Sequence, residues 1–121
     1  MSTGYELINQ TKKEKISFYH LPVSTKNEIS GNPVSASIVS WYILNNQGDE
    51  IQFVSDTYDD WPFSSGKRGD QENYSDQTDL LITKLIDVGI LKDNGIAYQD
   101  EDNPKNVYIR AISNVWLNQK T

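Results

Sequence analysis

A chain of 121 residues, 36% apolar and carrying three Trp, seven Tyr and three Phe, is sized for one globular domain with a real core. Its formal charge of −6 argues against generic nucleic-acid or anionic-membrane binding, which needs a basic footprint. With no cysteine and a single histidine, disulfides, thiol catalysis, iron–sulfur clusters and zinc held by several imidazoles are excluded.

No window reaches the length of a membrane helix, and the longest apolar run is Trp41 to Leu44. The opening MSTGYELINQTKKEK has no apolar signal core, so a cytoplasmic location is expected. The glycosylation-type triplets at Asn9 and Asn73 therefore read as chance. Charge is unevenly placed. Residues 1–30 hold four lysines against three glutamates, which leaves −7 for the remainder. Such an excess acts as a solubility device or as an attractive face for a basic partner.

In chain order, Tyr5 and Leu7, then Ile16 and Phe18, alternate with period two and predict two strands joined by Asn9–Lys15. Pro22 closes the second strand or confines it to an edge. Residues 23–31 form a polar connection with room for one helical turn.

Asn32-Pro33 opens a segment with two readings. Asn as N-cap and Pro at the first helical position make a sound helix start, and Gly48 would end the helix. Yet the stretch is rich in Val, Ile, Ser, Trp and Tyr, which favour strands over helices. Tyr42 to Phe53 also reads as a hairpin turning at Asn46–Asp49, and the balance leans to that hairpin. Either way the segment is core.

Residues 56–74 have no usable period and contain Pro62, Gly66 and Gly69 as breakers. This is the longest irregular stretch, and long ordered loops are disproportionately functional. Residues 75–88 predict a helix capped by Ser75 or Asp76, with Leu81, Ile82, Leu85, Ile86 and Val88 forming one broad apolar stripe. Gly89 supplies the left-handed stop, with Ile90 packing back on Leu85. Then come a turn at Asp93-Asn94-Gly95, a strand over 96–99, an acidic turn at 100–104 and a strand over 106–117. The expected fold is one α+β domain over residues 1–121, a mostly antiparallel sheet packed against one or two helices.

Several groupings bear on chemistry. His20 has the side chain for a general base, but no orienting carboxylate or nucleophile is set beside it in the sequence. Asp56, Asp59 and Asp60 lie among Tyr58, Trp61 and Phe63. This mix suits a protein interface with aromatic anchors and acids facing a basic partner. It also occurs in carbohydrate sites, where paired carboxylates must face each other across a cleft. A third arrangement folds Trp61 and Phe63 back into the core. The acids at 93–95 and 100–103 do not match the EF-hand ligand spacing and read as turns. Ser64 to Gly69 lacks the order of a phosphate loop. No metal site or cofactor is expected, and no enzymatic activity.

From Leu81 to Ile112 the order helix, Gly-Ile-Leu, strand, acidic turn, strand resembles the last helix and wing of a winged-helix domain, over about a quarter of the chain. The acids at Asp76 and Asp79 and at Asp100, Glu101 and Asp102 stand where a DNA-binding version carries basic residues. A regulatory or adaptor module using protein contacts is what this resemblance implies.

The whole chain also resembles the small bacterial immunity proteins encoded beside contact-dependent and other polymorphic toxins. Its size, acidity, lack of cysteine and the acidic aromatic stretch Asp56–Phe63 carry the resemblance. It implies tight binding to a cognate basic toxin, often a nuclease, with the toxin's active site occluded. The expected contact residues are Asp56, Tyr58, Asp59, Asp60 and Trp61, together with Asp100, Glu101 and Asp102.

Overall fold

The computed structural model describes residues 4–55, 61–105 and 107–118, with Leu117 and Asn118 by backbone only. Strand β1 (Tyr5–Asn9) pairs antiparallel with β2 (Glu14–Ile16), with Leu7 opposite Ile16. The connecting turn is closed from within, because the Asn9 side-chain oxygen accepts the Lys12 amide at 3.0 Å. β2 stops at Ile16, short of the expected strand through Phe18. Phe18 and His20 hold φ at +59° and +65°, a left-handed conformation that no strand can contain. The tight turn drives the Phe18 ring into the core, and the Phe18 amide donates to Thr78 Oγ1.

Helix α1 (Lys26–Gly31) starts from a capping box in which Thr25 and Glu28 satisfy each other's amides. Helix α2 (Pro33–Leu44) corrects the hairpin reading of residues 42–53. The Asn32 carboxamide oxygen accepts the Val34 amide at 2.8 Å and the Ser35 amide at 3.4 Å, and Pro33 takes the first helical position. Val34, Ile38 and Tyr42 are buried at four-residue spacing, which is the helix period. The period is hidden in the sequence because the opposite face is also apolar, with Leu44 64% exposed. Each β-branched residue costs a helix only about 0.5 kcal/mol, and a good cap returns about 1 kcal/mol. Packing of the buried stripe then decides the conformation.

Strand β3 (Ile51–Ser55) therefore finds its partner elsewhere, pairing antiparallel along the free edge of β1 with Leu7 opposite Phe53. A two-residue strand β4 (Ser75–Asp76) runs parallel to β2, giving the order β3-β1-β2-β4. Helix α3 (Thr78–Asp87) follows, and Asp76 Oδ1 accepts both the amide and the hydroxyl of Thr78. Gly89 at φ +84° ends it, and the Ile90 amide returns to the Leu85 carbonyl.

The last elements are β5 (Leu91–Gln99) and β6 (Tyr108–Asn114), an antiparallel pair forming a separate two-stranded sheet. Asp93-Asn94-Gly95 is not the turn that its residues suggested. It is a bulge inside β5, with Gly95 at φ +100° and the pairing register slipping between Asp93 and Ile96. β6 ends at Asn114, shorter than expected, and a 3₁₀ turn (Val115–Asn118) follows.

The chain is thus α+β, with three α-helices and two sheets of mostly antiparallel strands among the described residues. The four-stranded sheet is covered on both faces. Leu7 and Ile16 face a main core with Ile29, Ile38, Tyr42, Ile82, Leu85 and Leu91 from the helices and β5. Ile8 and Val54, on the other face, pack under Phe63, with Trp61 and Tyr74 against them. No helix among the described residues is long and apolar enough to cross a membrane.

Candidate partner-binding surface

The loop after β3 was the main sequence candidate, and its described part, from Trp61 on, is built into the outer face of the sheet. The Trp61 ring meets Phe63 edge-to-face at 5.1 Å, and its indole N–H donates to the Ser65 carbonyl at 2.7 Å. Gln10, buried on β1's extension, donates from its amide to the same carbonyl at 3.0 Å. Gly66 lies so close that a β-carbon there would stand 2.7 Å from the Gln10 side-chain nitrogen. Arg68 Nη2 reaches the Ser55 carbonyl at 2.6 Å. The loop is a lid over the second core, held by side-chain-to-backbone bonds. Asp56, Tyr58, Asp59 and Asp60 lie outside the described residues.

The second acidic group sits elsewhere. Asp100, Glu101 and Asp102 occupy the tip joining β5 to β6, where Asp100 Oδ2 accepts the Asn103 amide. The hairpin packs on α2 and α3, on the side of the four-stranded sheet away from Trp61. Trp61 and the tip are therefore not one surface. Residues 92–99 are exposed throughout, and beside the tip Tyr98 and Ile96 are 55% and 53% exposed. The register places Tyr98 opposite Ile109, on the face away from Tyr108 and Arg110.

His20 is committed to holding this hairpin. Its Nδ1 lies 2.9 Å from the Tyr108 carbonyl oxygen, its ring stacks on Tyr108, and its carbonyl accepts the Arg110 amide at 2.8 Å. Beside it Arg110 bridges Asp79 at 3.2 Å and Asp93 at 3.0 Å, and the Tyr19 hydroxyl donates to Asp79. The Asp79 carboxylate so bonded holds the Tyr19 phenol protonated well above its usual range. The Gly95 amide and then Arg110 hold the Asp93 carboxyl below the ordinary carboxylate value. These groups form a clamp between α3's first turn and the hairpin. No nucleophile is hydrogen-bonded to His20 among the described contacts.

A polar cleft of about 480 Å³ opens where β1 and β3 meet the 68–72 turn, lined by Glu6, Lys15, Arg68 and Glu72. Burial pushes the Glu6 carboxyl up, with Lys15 opposing that shift. Among the described residues no three His, Asp or Glu side chains converge as a metal ligand set.

Sequence reasoning did not single out strand β3 itself. Its residues, Ile-Gln-Phe-Val-Ser, carry no charge and no proline, and that absence was the available signal. Comparison with protein-family models, with curated proteins and with solved structures found no match.

Proposed function

We propose that this protein is a small cytoplasmic partner-binding protein of the immunity type, which engages a basic toxin and occludes it without catalysing a reaction. The observation that carries the reading is the distal half of the β5–β6 hairpin. There Asp100, Glu101 and Asp102 follow closely on exposed Tyr98, on the face of Ile109. Acids around an aromatic anchor match the composition of an interface that steers a cationic partner and then desolvates against it.

Within the tip Lys105 offsets one of the three acids, and Arg110 on β6 is spent on Asp79 and Asp93. With −7 beyond residue 30, the acid is concentrated away from the lysine-bearing start of the chain. The engagement of His20 with Tyr108 favours a binding role over catalysis.

The test begins with co-purification of the product of the neighbouring gene, a toxin domain on this reading. Reversal of Asp100, Glu101 and Asp102 to Lys should slow association with that partner about tenfold or more at low salt and flatten its salt dependence. The same applies to Asp59 and Asp60. Unchanged association kinetics in both variants would remove the acids from the mechanism.

A further inference from the structure

The four-stranded sheet ends at β3, and the backbone polarity of that edge follows from β1. Tyr5 directs its amide to the Ser24 carbonyl, on the side of β1 away from β3. Tyr5 and Ser55 are therefore a pair that exchanges no hydrogen bonds, and Ser55 points its own groups outward. The bond from Arg68 to the Ser55 carbonyl agrees with this direction. By alternation, Phe53 and Ile51 also turn their N–H and C=O groups away from β1. Among the described residues, β3 pairs with β1 alone.

Proteins protect such edges with bulges, prolines or charges. β5 has that protection, with two register shifts along it. The residues of β3 supply none, Arg68 covers only the Ser55 end, and the five pairs with β1 run in unbroken register. Beside it lies an apolar groove of about 160 Å³ between the edge and α1, lined by Tyr5, Lys26, Ile29, Ser30 and Phe53. Phe53, 38% exposed, meets Tyr5 edge-to-face at 6.3 Å along its wall. The volume is on the order of cavities that accept one benzene-sized apolar group.

We infer that β3 is a strand-addition site: an extended segment of the partner hydrogen-bonds to Ile51 and Phe53 and places one apolar side chain in the groove beside Phe53. This rests on the partner-binding reading above and names how the partner docks. A second copy of the chain is the poorer occupant. Pairing β3 with itself about Phe53 sets Ile51 opposite Ser55, whose carbonyl Arg68 already holds, and it brings together two chains of charge −6. A partner segment can stop short of Ser55. The overall acidity, with Glu50 at the start of the strand, selects lysine or arginine on either side of the apolar residue.

The probe is the peptide acetyl-Lys-Val-Lys-Leu-Lys-Val-Lys-amide, titrated into the ¹⁵N-labelled full chain, beside a copy N-methylated at alternate residues. N-methylation removes donors and leaves the charge. The expected result is a shift of the Ile51 and Phe53 amides and slowed exchange at Phe53, with affinity at least tenfold lower for the methylated copy. Equal binding of both peptides, or no response at Ile51 and Phe53, overturns strand addition. Shifts confined to residues 100–102 do so as well, while leaving the acidic partner-binding reading standing. A concentration-dependent dimer that protects Phe53 without peptide would replace the partner segment by a second copy.

Discussion

His20 lies flat on Tyr108, with ring centroids 3.7 Å apart and planes 9° from parallel, while its own backbone holds φ at +65°. The chain accepts an unfavourable local conformation at His20 because the ring and carbonyl it places there tie the 18–22 turn to β6. Strain of this kind persists only where surrounding contacts over-determine it.

Replacement of His20 separates the two effects. His20→Ala loses the stack and keeps the strain, and should destabilise by about 1–2 kcal/mol. His20→Gly loses the same stack but adopts positive φ freely, so it should be less destabilising than the alanine variant by about 1 kcal/mol. Urea unfolding of both variants reads the difference. Equal losses would show that the backbone conformation costs nothing there.

Asn32→Ala removes the acceptor for the Val34 and Ser35 amides. A loss of about 1 kcal/mol is expected, typical of an N-cap. Hydrogen exchange should quicken first at residues 34–36. Were residues 42–53 a hairpin, this substitution would leave stability unchanged.

Phe63→Ala empties the second core, where Ile8 and Val54 pack beneath the ring and Trp61 leans on it. A loss of about 3 kcal/mol is expected. Trp61 fluorescence should shift to the red in the folded state as its ring loses that contact. An unshifted spectrum at unchanged stability would mean that the 61–66 lid does not depend on Phe63.

Two carboxylates give opposite pH signatures. Asp49 accepts from Asn9 and then Lys12, which lowers its pKa, so its contribution is present above the unfolded Asp value and lost as pH falls through the folded one. Asp49→Asn should therefore be less stable than the native chain at neutral pH and converge with it in acid. Glu6 is raised by burial. Its cost is absent below the unfolded Glu value and complete once pH exceeds the folded value, so Glu6→Gln should gain stability at neutral pH and not in acid. Thermal melts from pH 3 to 7 check both signs.

Several elements were legible as residues alone. α3 announces itself by its apolar stripe, an Asp before it and Gly89 after it, and β1 by alternation, whereas β2 meets its expected strand only at Ile16 because Phe18 turns left-handed. α2 was not, because apolar residues surround it and leave no period to read. The Asn32-Pro33 cap pointed correctly to the helix, while the expected stop at Gly48 lies beyond its end at Leu44. The Asp93–Gly95 bulge shares its residues with a tight turn, and only pairing with Ile112 and Arg110 separates the two.

For the candidate surface the division is similar. The sequence by itself determined the acidity, the absence of thiol and multi-histidine chemistry, the α+β class and the acids at the 100–102 turn, because these follow from composition and local pattern. Tertiary structure alone decided that Trp61 packs on Phe63 over the sheet, and that Asp100–Asp102 project from a hairpin on the other side of it. It also decided that β3 ends a sheet with its outward groups at Phe53. Edges and faces are set by which distant strand pairs with which, and neither composition nor short-range period carries that long-range choice.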